Sequence, residues 1–194
     1  MLLKEIFSII RGRWKFFAVF NLLFFSCVLV TVSAAEIMFW PPPLESETKL
    51  SVPTTFSDDW FTILSYIFFF NLAMNSFAFV TLPGIAFFPL SAGFLGFRAV
   101  LWGLLLHALP GWSFAALLPI IVLEGEAYVF AAVAGTVAGV SWLKPSWMFP
   151  ADTAILFRED AFKKVLRESL RVYVFVAVLL FLAAVVETVE ILWI

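Results

Sequence analysis

The chain has 194 residues, of which 63% are hydrophobic and 13% are charged, and its formal net charge is −2. A soluble domain carries about 45–50% apolar and about 25% charged residues, so this composition excludes an ordinary water-soluble enzyme or RNA-binding module. The charge provides no basic field for nucleic acid, and the single cysteine, Cys27, excludes a disulfide framework or a cysteine-rich metal site. The sequence therefore predicts a protein that crosses a membrane several times.

Five apolar stretches are long enough to cross a bilayer, which takes about 20 helical residues. They run over residues 14–35, 60–82, 84–109, 112–143 and 170–194. Because these stretches are apolar on all sides, they favour helices over barrel strands. The predicted fold is an all-α, polytopic transmembrane bundle that forms a single domain over residues 1–194. It has five spans, or six if residues 84–140 contain a broken or re-entrant helix.

The basic residues set the expected orientation. Four of them lie within the first 15 residues, at the start of the first span, and six lie between residues 144 and 171, whereas the acidic loop over residues 36–59 contains only Lys49. Because cytoplasmic loops carry the excess of lysine and arginine, this distribution places the N-terminus and the 143–170 loop in the cytoplasm. The 36–59 loop and the C-terminus then lie outside the cell, and the predicted location is the cell membrane.

Two amphipathic segments are predicted at the cytoplasmic surface. Over residues 152–169, apolar side chains recur at helical spacing between charged ones, and the first ten residues of the chain show a similar pattern. Such segments lie on lipid headgroups with their apolar face inward. We expect them to anchor the chain to lipid, and docking of a protein partner at this face is the alternative.

Four charged side chains fall well inside the predicted spans, where each costs at least about 2.5–3.5 kcal/mol near the bilayer centre. They are Arg98, Glu124, Glu126 and Glu187. With a rise of about 1.5 Å per residue, Arg98 and Glu187 lie roughly 21 and 25 Å from the cytoplasmic side. Their similar depth predicts a buried ion pair. The acids outnumber the arginine, so at least one must be protonated or must face water or a cation.

The fourth stretch is longer than one straight crossing needs, and Pro119 lies one turn before Glu124 and Gly125. A proline removes a backbone hydrogen bond and kinks or breaks a helix. One interpretation is a broken helix that holds an ion at mid-depth through Glu124 and Glu126, as in transporters. The other is a kinked helix whose glutamates are paired within the protein.

Polar and small residues indicate close contacts between the spans. Asn71 and Asn75 lie four residues apart on one face of the second span, and amides in lipid usually bond across helices. Small residues recur every fourth position at Ala131, Gly135 and Gly139. This pattern allows helices to approach closely, either within one chain or across a homodimer.

The fourth and fifth stretches resemble the stage II sporulation protein M (SpoIIM) family. Leu118-Pro119 followed by Glu124, with small residues after it, is similar to one family motif, and Ala183-Ala184-Val185-Val186-Glu187 is similar to the other. The His-Gly pair of the first motif is replaced by Ile120-Ile121. The resemblance, from about residue 60 onward, implies a multi-span membrane protein. It also implies acidic residues at positions 124 and 187, and a namesake that acts with partner proteins in remodelling a septal membrane.

Two functions are compatible with these features. The first is a structural, scaffolding or membrane-remodelling protein in which buried charges only fix helix packing. The alternative is an ion- or proton-coupled transporter or channel that uses Glu124, Glu126 and Glu187 with Arg98. No metalloprotease or serine-hydrolase motif occurs, so we expect no enzyme, no catalytic residue, no metal and no cofactor. The expected partners are the lipid bilayer, a second copy of the chain, and a protein at the cytoplasmic face.

Overall fold

The computed structural model describes residues 2–38, 59–108, 113–143, 145–146 and 157–193. Within these ranges the chain forms six helices and no strands. They are α1 (Leu2–Gly12), α2 (Trp14–Met38), α3 (Trp60–Ala86), α4 (Pro89–Ala108), α5 (Ser113–Ser141) and α6 (Arg158–Trp193). The helices α2 to α6 are each long and apolar enough to cross a membrane, which confirms the predicted all-α bundle of five spans. Of the predicted 36–59 loop, residues 39–58 lie outside the described residues.

Helix α5 forms the centre of the bundle. Of the 18 residues that form the apolar part of this helix, 61% are buried, against 22–33% in the other four spans. Alanines and small residues predominate in this helix, so neighbouring helices pack closely around it on several sides. The long apolar side chains of α2, α3, α4 and α6 that point outward match a lipid environment. The central helix therefore has the largest buried share, and most of the exposed apolar side chains lie on the other four spans.

Of the two alternatives for residues 84–140, the described residues show two continuous helices and no broken or re-entrant one. Helix α4 is continuous, and α5 runs without interruption through Pro119. This proline is the seventh residue of α5, so its missing N–H removes only one hydrogen bond close to the start of the helix. The third span begins at Pro89 rather than at residue 84, and Gly84 belongs to the end of α3.

The irregular helix is α3 instead. It starts as an α-helix over Trp60–Phe69, becomes a π-helix over Phe70–Thr81, and ends as an α-helix over Leu82–Ala86. At the end of the π-helix, the N–H of Leu82 donates to the carbonyl of Phe77, five residues earlier. The next residue, Pro83, has no N–H to restore the ordinary ladder. π-Helical turns are rare and often mark functional sites.

Helices α3 and α5 approach closely at Gly135 and at Gly139, which meets the backbone of Gly84. A methyl group on Gly135 of α5 would lie 2.6 Å from the carbonyl oxygen of Thr81 and 2.5 Å from Oγ of Ser91. Polar side chains strengthen this contact, since Oγ1 of Thr81 donates to the carbonyl of Ala131 at 2.8 Å. The small-residue pattern predicted from the sequence is therefore used within the chain, between α5 and the end of α3.

The last helix differs from its predicted bounds. We expected an interfacial helix over residues 152–169 and a separate span from residue 170, but α6 runs unbroken for 36 residues from Arg158. Residues 152–156 lie outside the described residues. The helix contains neither proline nor glycine, so nothing ends it at the membrane surface. Its first turns pack against α5, where Oγ of Ser169 donates to the carbonyl of Ala134 at 3.1 Å.

Helix α1 lies against the first half of α6. Glu5 pairs with Arg171 at 3.0 Å, and the ring of Phe7 meets that of Phe175 edge to face. At the junction of α1 and α2, Arg13 pairs with Glu168 at 2.5 Å. These contacts fix both ends of the short helix to the same partner, so the predicted amphipathic N-terminus has its apolar side on protein as well.

Candidate functional site

Polar side chains of α3 and α5 meet in the bundle interior. Nδ2 of Asn71 donates to Oε1 of Glu124 at 2.6 Å, and both side chains are buried. Asn75 lies farther along the π-helix, and its Nδ2 donates to Oδ1 of Asn71 at 2.6 Å. The two asparagines therefore act in series, because Asn71 joins the helices while Asn75 orients the amide of Asn71.

Tyr128 adds a buried hydroxyl to this group. It lies four residues after Glu124, on the same face of α5, and its side chain is fully buried. Its hydroxyl oxygen is 2.9 Å from Oε2 of Glu124 and 3.1 Å from Oδ1 of Asn71, so its proton can be donated to either. Both carboxylate oxygens of Glu124 thus have a partner. Tyr128 was not among the residues predicted from the sequence, although its spacing from Glu124 could have identified it.

Arg98 joins the group from α4. Its Nη2 donates to the hydroxyl of Tyr128 at 2.9 Å and lies 3.9 Å from Oε2 of Glu124. The Arg98 side chain is 19% exposed, whereas that of Glu124 is 3% exposed. We call Asn71, Asn75, Arg98, Glu124 and Tyr128 the polar network, which links α3, α4 and α5.

A cavity of about 300 Å³ lies beside the polar network, between α3, α4, α5 and α6. Its lining includes Asn71, Arg98 and Glu124 from the network, together with Glu187 of α6. The remaining lining residues are apolar or aromatic, namely Tyr66, Ile67, Phe70, Leu101, Trp102 and Leu105. Two carboxylates and one guanidinium give this otherwise apolar cavity one formal negative charge in excess.

The structure gives Arg98 a different partner from the predicted one. We expected a pair with Glu187, but the ion pair is formed with Glu124. Helix α5 packs against both α4 and α6, and these two do not pack directly on each other along their described residues. Glu124 on the intervening helix is therefore nearer to Arg98 at the same height. Glu187 interacts with Arg98 and with Glu124 electrostatically, at longer range.

Glu126 lies apart from the cavity. It is two residues from Glu124, which places the two side chains about 200° apart around a helix. It lies near Asn21 of α2, whose Nδ2 donates to the carbonyl of Phe17 at 3.1 Å. The predicted group of four charges is therefore divided, with Arg98, Glu124 and Glu187 around the cavity and Glu126 at the α2–α5 contact. Among the described residues no group of three or more histidine, cysteine or acidic side chains is arranged to hold a metal ion.

A comparison of the sequence with protein families identifies the family of this chain. The family described as Stage II sporulation protein M matches residues 16–189, which is nearly the whole chain. The chain belongs to the SpoIIM family. The match extends the resemblance seen from residue 60 onward to the first span, and it includes both Glu124 and Glu187. Comparison with curated proteins and with solved structures gives no match.

Proposed function

We propose that this SpoIIM-family protein is a structural component of the cell membrane, in which the polar network fixes the packing of α3, α4 and α5. The observation that supports this most is the hydrogen bond from Asn71 to Glu124 between two helices. A buried acid must be satisfied within the protein or remain costly in hydrocarbon. Here the protein's own amide, hydroxyl and guanidinium meet that need, as a packing role requires.

The expected setting is a scaffolding or remodelling role beside other membrane proteins, without catalysis or nucleic-acid binding. Exposed basic side chains on the first turns of α6, such as Lys163 and Lys164, suit contact with anionic headgroups or with an acidic protein partner in the cytoplasm. The lipid-facing sides of α2, α3 and α4 offer surfaces on which a second copy can pack. This proposal places the N-terminus in the cytoplasm and the C-terminus outside.

A double-mutant cycle tests the packing role. Removing one member of a buried ion pair leaves the other uncompensated and costs about 3–5 kcal/mol, whereas replacing both with apolar residues is often neutral. We therefore expect Glu124→Met alone to unfold at lower denaturant than Arg98→Met combined with Glu124→Met, measured by SDS titration in detergent micelles. Glu126→Gln, which alters an acid outside the network, is the control. A double variant less stable than both single variants would contradict the proposal.

A second candidate function is ion- or proton-coupled transport. The excess of one carboxylate around the cavity favours it, because a proton or a monovalent cation would neutralise that charge. Purified protein in liposomes should then give a pH- or cation-dependent flux that Glu124→Gln and Glu187→Gln abolish. The Glu126→Gln variant should retain the flux, since Glu126 does not line the cavity. Equal flux in all three variants would exclude this candidate.

A further inference from the structure

We propose that the cavity beside the polar network binds a small zwitterion, which carries a primary ammonium group and an oxyanion, and that Glu187 receives the ammonium. The inference depends on the cavity and on the side chains around it. It requires binding but not transport, and it is independent of the packing role proposed for the network.

The ammonium side is defined by Glu187. Unlike Glu124, it has no hydrogen-bonding side chain and no ion-pair partner within the part of the chain that the structure describes. Its half-buried carboxylate faces a cavity whose wall includes the rings of Tyr66 and Phe70, stacked with their centroids 5.7 Å apart. Aromatic faces attract cations, and ammonium ligands in proteins are often held this way. A positively charged nitrogen therefore fits this side of the cavity.

The oxyanion side is defined by α4. Nε of Arg98 and Nε1 of Trp102 are both buried without a hydrogen-bond acceptor, and both residues line the cavity. The two residues lie four apart, so their side chains leave the same face of the helix. Buried donors in proteins almost always have an acceptor. A carboxylate or phosphate group at the α4 wall supplies one once these side chains turn toward the cavity, and the guanidinium of Arg98, whose side chain is 19% exposed, suits such groups geometrically.

The size of the cavity agrees with a small organic molecule. Ligand pockets begin at about 300 Å³, the volume found here, whereas a bare monovalent cation would leave most of this space unfilled. A cation alone would also leave the donors of Arg98 and Trp102 without an acceptor. The combined chemistry belongs to dissolved amino acids and to the phosphoethanolamine headgroup of a lipid. These two sources share both charged groups and differ in their route into the cavity.

The test measures binding with the full-length protein in nanodiscs. One arm titrates L-alanine and O-phosphoethanolamine into phosphatidylcholine nanodiscs and follows binding by calorimetry. The other compares the thermal unfolding of the protein in nanodiscs with and without phosphatidylethanolamine. Glu187→Gln should weaken binding by about tenfold or more, since it removes a charge-assisted contact. Glu190→Gln, which alters an acid on the same helix outside the cavity, should bind like the wild type.

The outcomes separate the parts of the inference. Binding in the first arm identifies a dissolved zwitterion, and stabilisation only in the second identifies the lipid headgroup. Binding of methylammonium as tight as that of L-alanine would overturn the oxyanion assignment, and unchanged binding by Trp102→Phe would do the same. The whole inference fails if neither arm shows binding or if Glu187→Gln binds as well as the wild type. None of these results depends on the denaturation of the network variants.

Discussion

The amide of Asn71 donates to the carboxylate of Glu124 at 2.6 Å, and this bond joins a π-helical segment to the central helix of the bundle. The two residues are 53 positions apart in the chain. Asn71 also accepts from Asn75 through its other amide atom, so both ends of its side chain are used. Asn71 is therefore the residue through which α3 and α5 share one set of hydrogen bonds.

Substitution of the two asparagines should have unequal effects. Asn71→Ala leaves a buried oxygen of Glu124 unsatisfied, which costs about 1–3 kcal/mol. Asn75→Ala removes one donor to Asn71 and should cost less, about 0.6 kcal/mol, the average for such bonds in a membrane bundle. SDS titration of both variants measures the difference. A larger effect of Asn75→Ala would show that Asn71 is not the principal link.

Two glycines provide a matched test of helix packing. Gly135→Ala would place its methyl group 2.6 Å from the backbone oxygen of Thr81, so α3 and α5 must separate, at a cost of about 1–3 kcal/mol. Gly96→Ala meets no atom within 4 Å and should be neutral or slightly stabilising, because alanine favours a helix by up to about 1 kcal/mol over glycine. Thermal unfolding in detergent compares the two. Equal destabilisation would argue against the close approach.

The start of α3 should depend on pH. The hydroxyl and the backbone N–H of Thr62 donate to the carboxylate of Asp59 and lower the pKa of that acid below its ordinary value. A lowered folded-state pKa means that the cap stabilises the helix above the unfolded pKa, about 3.9, and is lost as the pH falls through the folded value. Amide-exchange protection at Thr62 and Ile63 should therefore decrease at low pH.

The Asp59→Asn variant is the control for this prediction. Asparagine is also a good N-cap residue, and it does not titrate in this range. Protection at Thr62 should then become independent of pH once intrinsic exchange rates are corrected. If the variant loses protection over the same pH range as the wild type, another group is responsible.

The orientation of the chain can be mapped with single cysteines. After Cys27→Ser removes the native thiol, Lys49→Cys should react with an impermeant maleimide in intact cells. Lys163→Cys, at an exposed position on α6, should react only after the membrane is permeabilised. This pattern follows from the excess of basic residues on the cytoplasmic side. The reverse pattern would place the N-terminus outside.

The positions of the spans were largely predictable, but their regularity was not. Apolar runs identified all five spans, because a bilayer requires about 20 residues of helix whose backbone groups are bonded internally. Pro119 suggested a break in α5, yet its place near the start of that helix makes it tolerable. The irregular helix is α3, which is π-helical over Phe70–Thr81. The apolar length that predicts a span does not distinguish a π-helix from an α-helix.

The candidate site was also predictable only in part. The individual charged residues and the two asparagines were identified from their depth and residue type. Their hydrogen-bond and ion-pair partners could not be predicted. The position of a residue along a helix gives its depth, but it does not show which neighbouring helix its side chain contacts. Glu126 was grouped with Glu124 by sequence proximity, and the helical rotation between them separates the two. The spacing of Tyr128 places it on the same face as Glu124, but its bonds to Arg98 and Asn71 come from other helices and are visible only in the structure.

The sequence by itself determined that this protein is an all-helical membrane bundle of the SpoIIM family with acids at depth, because apolar length and charge type are properties of the chain alone. The tertiary structure alone decided that α5 lies at the centre, that Arg98 pairs with Glu124, and that Glu187 faces a cavity beside them. These features depend on rotation and neighbour order among the helices. Both are set by side-chain packing between segments far apart in the chain, such as Gly135 against Thr81.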